Sequence, residues 1–436
     1  MSETPSMDTI VNLAKRRGFI FAGSEIYGGL ANSWDYGPLG VELKNNIKQS
    51  WWKKFVRGRQ DVVGIDAAII MNPKVWEASG HVATFHDPLV ECGKCHGRFR
   101  ADHVDVTKPC PTCGEKDSFT QPKQFNLMFK TQLGPVEGSG SEVYLRPETA
   151  QAMFVDFAQV LASTRKKLPF GIAQIGQAFR NEITPGNFVF RTREFEQMEI
   201  EYFVKESNWK EQFELWLKLM HEWIVESGID ASKVHDLEIP EEDRAHYSSR
   251  TVDIEFDFPF GRGELYGLAY RSDFDLKNHM EHSGKDLSYL DTETNEKIVP
   301  HVIEPTFGVG RTVLAVLVSA YKEEEVNGEK RVVLALPAHL APYQVAVLPL
   351  MKKPELTEVA KRVTDELSKQ FSVEYDETQS IGKRYRRQDE IGTPYCVTVD
   401  YDSLKDNSVT VRDRDSMKQE RIEIATIAEY LNGKIV

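Results

Sequence analysis

Long hydrophobic runs are missing from this sequence of 436 residues. No stretch approaches the roughly 20 consecutive apolar residues of a membrane-spanning helix. Residues 1–19 also lack the apolar run that a signal peptide needs. With 41% hydrophobic and 28% charged residues, the composition is that of a soluble globular chain, and a cytoplasmic location is expected.

Cysteine is scarce, and its placement is uneven. Four of the five cysteines form the pattern C-x2-C-x14-C-x2-C, namely Cys92, Cys95, Cys110 and Cys113. So few cysteines argue against a disulfide framework, and their spacing is typical of a structural zinc ribbon with a fully thiolate shell. A redox pair is the alternative. Cys396 lies in the apolar stretch PYCVTVDY and is predicted to be a core residue.

An overall excess of positive charge is also absent, because the net charge is −13. This argues against a chain that binds nucleic acid through its total charge, but it does not exclude a local basic site. One candidate is SIGKRYRRQDE, in which an aromatic residue is interleaved with basic ones. Its candidate nucleic-acid contacts are Lys383, Arg384, Tyr385, Arg386 and Arg387. A solvated face is the alternative reading of this run.

The length of the chain indicates more than one domain. Residues 1–325 are predicted to form the first domain, with a cysteine-rich insertion at about 88–120 and a helical insertion at about 205–260. Helices are expected at 41–57 and 208–227, and a strand run at 62–70. The polar stretch KEEEVNGEK, residues 322–330, is predicted to be a linker. Residues 331–436 alternate short apolar strands with helices, which predicts a small α/β domain.

Residues 179–203, FRNEITPGNFVFRTREFEQMEIEYF, are predicted to form a hairpin with many charges. Side chains two apart share a face of a strand. Phe195, Gln197, Glu199 and Glu201 should therefore share one face, with Met198 on the other. A half-solvated hairpin whose charges face water is the alternative to a ligand platform.

Two features of this hairpin favour the ligand platform. Gly176 and Ala178 in the preceding strand are expected to leave open space above the charged face. Arg180, Arg191 and Arg193 cluster around the loop, and guanidinium groups match phosphate oxygens in forked geometry. The sequence therefore suggests a polyphosphate ligand, with Phe195 as a surface on which a base can stack.

FRNE followed by RTREFEQMEIEYF resembles motif 2 of the class II aminoacyl-tRNA synthetases, and FEQMEIEYF is similar to the dimeric glycyl-tRNA synthetase family. The resemblance covers nearly the whole chain. It implies that Arg180 binds the ATP α-phosphate and the amino-acid carboxylate. It also implies that Glu182 contacts adenine, that Phe195 stacks on the base, and that Arg191 and Arg193 bind the terminal phosphates.

IEPTFGVGRTVLAVLVSAY resembles motif 3 of the same class. The resemblance places Arg311 on the opposite side of the adenine from Phe195, in a cation–π arrangement. A strand-to-helix turn with a surface arginine is the alternative. Glu264 in GRGELYG resembles the acidic residue that binds Mg²⁺ on the phosphates, and Leu265 is expected to line the nucleotide pocket.

Three glutamates match the glycyl enzymes: Glu148 in RPETAQ, Glu199 in FEQME and Glu304 in EPTFG. Carboxylates attract a substrate ammonium, and their bulk leaves no room beyond the α-carbon of glycine. Thr306 stands where the family commonly has serine, which adds a methyl group but keeps a hydroxyl. Arg100 in FRADH matches a substrate-contacting arginine of the family.

The residues that the resemblance implies fall into three groups. The catalytic residues are Arg180 and Arg311. The ATP-binding residues are Arg180, Asn181, Glu182, Phe190, Arg191, Thr192, Arg193, Glu194, Phe195, Glu264, Leu265, Gly308, Val309, Gly310 and Arg311. The glycine-binding residues are Arg100, Glu148, Phe195, Glu196, Gln197, Met198, Glu199, Glu304, Pro305, Thr306, Phe307 and Gly308.

The resemblance also implies a fold and a reaction. The fold is an α+β catalytic domain, in which helices flank an antiparallel sheet, with an inserted zinc ribbon and a C-terminal α/β anticodon-binding domain. The reaction is in-line attack of the glycine carboxylate on ATP, with Mg²⁺ as cofactor, followed by transfer of glycine to tRNA(Gly). Residues 41–70 match motif 1 loosely, with Pro73 nearest to its proline, and imply a homodimer. A non-catalytic binding protein and a synthetase for another small amino acid are the alternatives.

Overall fold

The computed structural model describes residues 4–102, 104–134, 141–245, 247–326 and 328–435. No helix in this part of the chain is long and apolar enough to cross a membrane. The helices are α1 (Met7–Arg17), α2 (Pro38–Trp52), α3 (Lys74–Ala78), α4 (His81–Thr84), α5 (Ala150–Val155), α6 (Phe157–Thr164), α7 (Trp209–Glu226), α8 (Phe274–Ser283), α9 (Val309–Ala320), α10 (Pro354–Leu367), α11 (Ile381–Ile391), α12 (Ser403–Asp406) and α13 (Ile427–Ile435).

The strands are mostly short in the first quarter of the chain and longer in its middle. They are β1 (Ile20–Ala22), β2 (Trp34–Tyr36), β3 (Val62–Gly64), β4 (His86–Glu91), β5 (Arg98–Arg100), β6 (Lys123–Asn126), β7 (Lys130–Leu133), β8 (Ser141–Tyr144), β9 (Phe170–Phe179), β10 (Glu194–Val204), β11 (Val234–Glu238), β12 (Arg250–Phe258), β13 (Gly261–Ser272), β14 (Tyr289–Asp291), β15 (Glu296–Ile298), β16 (His301–Gly308), β17 (Tyr321–Val326), β18 (Glu329–Leu334), β19 (Val345–Pro349), β20 (Val373–Tyr375), β21 (Tyr395–Val399), β22 (Ser408–Asp413) and β23 (Gln419–Glu423).

A seven-stranded sheet in the order β11-β12-β13-β16-β10-β9-β3 organises the first 310 residues. All its pairs are antiparallel except β3 with β9, which confirms the antiparallel sheet expected from the sequence. The predicted hairpin is also confirmed, because β9 and β10 pair antiparallel. Phe195 lies opposite Ala178 and Glu199 lies opposite Gln174, so these side chains share one face of the sheet.

Helices α2, α7 and α9 pack against the apolar face of this sheet. Trp51 of α2 and Trp216 of α7 are fully buried in the same core cluster as Phe307 of β16. The helix predicted at 41–57 corresponds to α2 and a π-helical turn after it, and the helix predicted at 208–227 corresponds to α7. Large aromatic side chains thus anchor the helical layer to the sheet.

Two predictions about secondary structure were wrong. The strand run at 62–70 is confined to β3, because the carbonyl of Ala67 binds the Arg146 side chain rather than a neighbouring strand. The predicted helical insertion at 205–260 contains only one α-helix, α7, among its described residues. Its second half forms β11 and β12, since β12 alternates buried and half-buried residues at the period of a strand.

Residues 322–330, which the sequence analysis predicted to be a linker, are regularly structured. Strands β17 and β18 pair here as an antiparallel hairpin, with Asn327 outside the described residues. Arg331 of this hairpin is buried and donates to Asp389 of α11 at 2.8 Å. The hairpin therefore connects the two halves of the chain through a buried ion pair.

A five-stranded mixed sheet in the order β20-β19-β21-β22-β23 forms the C-terminal part. Strand β19 runs parallel to β20 and β21, whereas β22 and β23 pair antiparallel. Helices α10 and α13 contribute Leu356 and Leu431 to its separate apolar core. The predicted small α/β domain is confirmed, except that residues 331–334 belong to β18 and not to this sheet.

Candidate active site

A cavity of about 1410 Å³ lies over the polar face of the seven-stranded sheet. It is lined by side chains from β9, β10, β13 and β16 and from the loop between β9 and β10. All fifteen residues that the resemblance assigned to ATP line it. The structure therefore brings together, from four separate stretches of sequence, the residues predicted to form one nucleotide site.

Eight of the twelve residues predicted for glycine also line this cavity, namely Glu148, Phe195, Glu196, Gln197, Glu199, Glu304, Thr306 and Gly308. Met198 and Phe307 do not, because strand alternation turns them into the apolar core on the other face. Pro305 alternates in the same way and is not among the lining residues. Arg100 lies outside the cavity lining and forms ion pairs with Asp87 and Asp102. The prediction included whole contiguous stretches, but Met198, Pro305 and Phe307 within them do not line the cavity.

Arginines occupy the mouth of the cavity near the loop between β9 and β10. Arg180 stacks on Phe195 with its guanidinium carbon 5.5 Å from the ring centre, and its Nε donates to the carbonyl of Pro147. Arg191 lies 3.9 Å from Glu182, and Arg193 donates to the carbonyl of Ala31 at 3.3 Å. Three guanidinium groups beside an aromatic ring suit a ligand with phosphates and a planar base.

Arg311 opens α9 and stands next to Glu264. Its Nη1 lies 2.9 Å from Glu264 Oε2, and its guanidinium carbon is 4.6 Å from the Phe190 ring centre. Arg311 lowers the pKa of the Glu264 carboxyl. Burial, together with the charge of Glu264, raises the pKa of nearby Asp253 to about 7. Two carboxyl groups therefore meet where a divalent cation would relieve their repulsion.

A second, buried part of the cavity is lined by carboxylates. Thr149 donates from Oγ1 to Glu199 Oε2 at 2.5 Å, and Thr306 donates to Glu199 Oε1 at 2.8 Å. Burial, and then the charge of Glu148, raises the pKa of Glu199. Thr306 stands where the family commonly has serine and keeps the hydroxyl group. This hydroxyl holds Glu199 in place.

Glu148 is anchored by groups that sequence reasoning did not single out. Its Oε2 lies 3.2 Å from Nε2 of His81, and its Oε1 accepts from Gln151 at 3.0 Å. Burial alone would raise the pKa of Glu148. The contact with His81 and the charge of Arg271 nevertheless hold this pKa well below its usual range. Glu148 is therefore an ionised carboxylate on the cavity wall.

Arg271 is a further residue of this site that the sequence analysis missed. It is 1% exposed, binds Asp275 through two donors at 2.7 and 2.8 Å, and donates to Glu304 Oε1 at 2.7 Å. Tyr247 lies over its guanidinium at 3.7 Å. The only available signal was the i,i+4 spacing of Arg271 and Asp275, which is common on helix surfaces. Their burial and the contact with distant Glu304 needed the tertiary structure.

The space predicted above Gly176 is filled rather than open. A Cβ atom at this position would lie 2.2 Å from Nη2 of Arg146, which is itself buried. Arg146 donates to the carbonyls of Gln177 at 2.6 Å and Ala67 at 2.9 Å. Glycine at position 176 thus leaves room for the guanidinium group of Arg146. The space for a ligand lies elsewhere on this face of the sheet.

Glu196 lies three residues before Glu199 on β10. Because successive side chains of a strand alternate between its two faces, the two glutamates belong to opposite faces. The carboxylate of Glu196 pairs with Lys44 at 2.7 Å and Lys48 at 2.9 Å, both on α2. These lysines lower the pKa of Glu196 against the effect of burial. The contacts indicate that Glu196 fixes α2 to the sheet at the edge of the cavity.

The four paired cysteines meet in space as predicted. The Sγ atoms of Cys92 and Cys113 are 3.7 Å apart, and those of Cys95 and Cys110 are also 3.7 Å apart. Sulfurs placed 2.3 Å from a tetrahedral zinc ion would be separated by about 3.8 Å. All four ligand atoms lie within 4.8 Å of one another, so the donor set fits zinc. Cys396 is buried in the C-terminal sheet, which confirms its predicted core position.

The basic run near residue 385 falls on α11, and its members have different environments. Lys383 is exposed, but Arg384 is 1% exposed and donates to the carbonyls of Pro349 and Leu350. Arg387 pairs with Asp376 and Tyr385 hydrogen-bonds Thr398. Arg384 is therefore a structural residue and not a surface contact, which corrects the prediction for this position.

The fold and the site match a known class of enzymes. Residues 113–320 match the profile of the tRNA synthetase class II core domain (G, H, P, S and T), and residues 344–434 match that of the anticodon binding domain. The prolyl-tRNA synthetase of Cryptosporidium parvum, solved with L-proline and AMP, has the same fold, with a TM-score of 0.65 at 15% identity. That match covers 98% of this chain and 77% of the other. The chain thus has the architecture of a class II aminoacyl-tRNA synthetase.

Individual relatives narrow this class to one family. The glycine–tRNA ligase of Caldanaerobacter subterraneus subsp. tengcongensis is 55% identical, over 99% of this chain and 98% of the relative. The glycine–tRNA ligase of Clostridium acetobutylicum is 54% identical over 100% of both chains. The chain belongs to the glycine–tRNA ligase family.

Proposed function

We propose that this chain activates glycine with ATP as glycyl-adenylate and transfers it to the 3′ end of tRNA(Gly). The observation that carries the proposal is one continuous cavity with two parts of opposite charge. Arg180, Arg191 and Arg193 surround the outer part, and Glu148 and Glu199 line the inner part. A polyphosphate and an ammonium group would each meet opposite charge there, next to each other.

In the first step, these residues act by position and charge. Arg180 would hold both the substrate carboxylate and the α-phosphate, so that the carboxylate oxygen attacks phosphorus in line with the departing pyrophosphate. Arg191 and Arg193 would neutralise the terminal phosphates. Phe195, already stacked on Arg180, would take the adenine. Phe190, not Phe195, lies against Arg311, so Arg311 is proposed to reach the nucleotide from the Phe190 side.

The inner part of the cavity is proposed to select glycine by size. Glu148, Glu199 and Glu304 would attract the ammonium, and Thr306 and Arg271 hold two of these carboxylates rigidly. A larger side chain would have to displace them, at a cost of about 1–3 kcal/mol or more. Such steric exclusion needs no separate editing site.

The two proposed metals have different roles. Glu264 and Asp253 would hold Mg²⁺, which supplies positive charge to the phosphates. Cys92, Cys95, Cys110 and Cys113 would hold a structural zinc ion in a zinc ribbon at about 88–120. A full thiolate shell leaves no open coordination position for catalysis. This ribbon would brace the wall of the cavity, since β4 pairs with β6 and the carbonyl of Leu127, directly after β6, accepts from the backbone N–H of the lining residue Asn181.

The remaining proposals concern the partners and the domains. Residues 1–325 would form the catalytic domain and residues 331–436 the anticodon-binding domain, with Lys383 and Arg386 as the accessible basic residues for tRNA. We also propose a homodimer. Its support is an apolar turn in which Ile26 is 89% exposed and Tyr27 is 87% exposed. Sedimentation should then give twice the chain mass of 49.7 kDa.

Amino-acid-dependent exchange of pyrophosphate into ATP tests the proposed function directly. Glycine should support exchange, and alanine, serine and threonine should not. Exchange with one of these three but not with glycine would overturn the substrate assignment. Exchange with no amino acid would instead favour a non-catalytic binding protein.

A further inference from the structure

Three buried carboxyl groups lie side by side beneath the proposed glycine pocket. One carboxylate oxygen from each of Glu199, Glu201 and Glu304 lies within 4.8 Å of the other two. The register of β10 with β16 pairs Tyr202 with Ile303, which sets Glu201 opposite Glu304 on the same face. Glu199 and Glu304 line the cavity, whereas Glu201 is completely buried below them.

The hydrogen bonds of these three residues are unequal. Glu199 accepts from Thr149 and Thr306, and Glu304 accepts from Arg271. Neither oxygen of Glu201 has a hydrogen-bond partner among the described residues. An ionised carboxylate that is buried without partners costs several kcal/mol, whereas a protonated one can donate to a neighbouring carboxylate.

Positive charge near Glu201 and Glu304 is too small to balance the carboxylates. Arg271 is shared between Asp275 and Glu304, so it compensates less than two negative charges. The charged and titratable groups around the pair, taken from every neighbouring element, are His81 on α4, Glu148 before α5, Glu199 on β10, Tyr247 before β12, Arg271 on β13, and Asp275 and His279 on α8. Arg271 contacts Glu304 and the His81 imidazole contacts Glu148, but among the described residues no cation hydrogen-bonds to Glu201, so the pair lacks the positive charge to keep both of its carboxyl groups ionised.

We propose that Glu201 and Glu304 share one proton while the pocket lacks glycine, and that the ammonium group of glycine displaces this proton on binding. The inference rests on the proposed function and adds to it a proton-linked recognition step. The O–H bond of the shared proton breaks, the proton leaves to the solvent, and the ammonium takes over its charge. The total charge of the pocket therefore stays constant as glycine enters.

The electrostatics of the pair agree with this geometry. Burial, opposed by Arg271, raises the pKa of Glu304 to about 8. Burial and the charge of Glu304 raise the pKa of Glu201 well above its usual range. Two carboxyl groups that share a site cannot both ionise, and an arriving ammonium lowers their pKa by attraction. Below pH 8, the dissociation constant of glycine should therefore fall as pH rises, by up to about tenfold per pH unit.

Calorimetric titration of glycine into the full-length chain tests the proposal, with a non-hydrolysable ATP analogue present throughout. The titration is repeated at pH 7 in buffers of different ionisation enthalpy, which reveals the number of protons released. The unaltered chain should release close to one proton per glycine. Glu201→Gln should release clearly less than one proton, because the glutamine amide can donate to Glu304 and stabilises its ionised form before glycine arrives.

Glu374→Gln serves as the matched control. Glu374 is a partly buried carboxyl in the C-terminal sheet whose pKa is also raised by burial, and it is not among the residues that line the cavity. This variant should release as many protons as the unaltered chain. The comparison separates the loss of one particular acid from the general loss of a buried carboxyl.

Each outcome decides between the alternatives. Glycine binding without buffer-dependent heat, or equal proton release by Glu201→Gln, would overturn the shared proton but leave the proposed function intact. Absence of glycine binding to the unaltered chain would overturn the proposed function itself. If Glu201→Gln does not fold, the pH dependence of glycine binding to the unaltered chain decides, and a flat profile between pH 6 and 8 would refute the proposal.

Discussion

Neighbouring residues on β10 have unrelated surroundings because a strand turns successive side chains to opposite faces. Glu199 faces the cavity and binds Thr149 and Thr306, whereas Met198 is fully buried among apolar side chains. Glu196 pairs with two lysines of α2. At the scale of single residues, the face of the sheet on which a motif residue lies thus depends on whether its position along the strand is odd or even.

Glu199→Gln is expected to weaken glycine binding far more than ATP binding. The substitution keeps the shape of the side chain but removes the charge that attracts the ammonium. A hydrogen bond to a charged group contributes about 1.5–3 kcal/mol, which corresponds to a roughly 10- to 150-fold increase in KM for glycine. Pyrophosphate exchange measured at varied glycine and varied ATP checks this. An equal rise in KM for both substrates would contradict the assignment of Glu199 to the glycine pocket.

Individual elements combine exposed and structural residues that look alike in sequence. On α11, Arg384 faces inward and donates to the carbonyls of Pro349, Leu350 and Asp376. Lys383, one residue earlier, faces solvent. A helix turns by about 100° per residue, so consecutive basic residues cannot all share a surface.

Two substitutions on α11 should therefore have opposite effects. Lys383→Ala should leave the free energy of unfolding within about 0.5 kcal/mol of the original value, weaken tRNA binding, and reduce its salt dependence by about one unit of slope. Arg384→Ala should lower the free energy of unfolding by about 3 kcal/mol, because buried carbonyls lose their donor. Chemical denaturation and tRNA titration at several salt concentrations measure both. A stable Arg384→Ala variant with reduced tRNA affinity would contradict the structural role.

The cysteine-rich module should depend on all four of its thiolates. The unaltered chain is expected to contain about one zinc ion, and Cys92→Ser should lose it, since a serine hydroxyl is a poor zinc ligand at neutral pH. Cys396→Ala is the control, because Cys396 is buried in the C-terminal sheet, away from the other four. Elemental analysis of the purified proteins decides. Zinc retained by Cys92→Ser would refute the four-thiolate site.

At the scale of the whole molecule, a buried network joins the two halves of the chain. Arg331 of β18 donates to Asp389 of α11 and to Glu324 of β17, at 2.8 and 2.7 Å. It also donates to the carbonyl of Arg414, and Arg412 binds Asp389 at 2.9 Å. The active-site half and the C-terminal half are thus connected by the fully buried ion pair of Arg331 and Asp389.

Arg331→Met is expected to weaken this connection between the two halves. Removing one partner of a buried ion pair leaves charge uncompensated and typically costs 3–5 kcal/mol. Calorimetric unfolding of the variant should begin at a lower temperature and separate into two transitions. Lys330→Met on the same strand is the control, since Lys330 pairs with Glu323 at the surface. A single unshifted transition for Arg331→Met would show that the network does not couple the halves.

The sequence by itself determined the local features of the protein. Strand period placed Phe195, Gln197 and Glu199 on one face, and cysteine spacing predicted the cluster at Cys92. Short apolar strands alternating with helices predicted the C-terminal α/β domain. These features depend on residues close together in the chain, so their geometry follows from backbone period and spacing.

Only the tertiary structure decided which long-range partner each buried charge meets. Arg146 fills the space above Gly176, Arg271 reaches Glu304 from another strand, and Arg331 closes a hairpin that was read as a linker. A charged residue in sequence is normally assigned to solvent, because burial of a charge is costly without a partner. The partners here lie tens of residues away, and only packing brings them within hydrogen-bond distance.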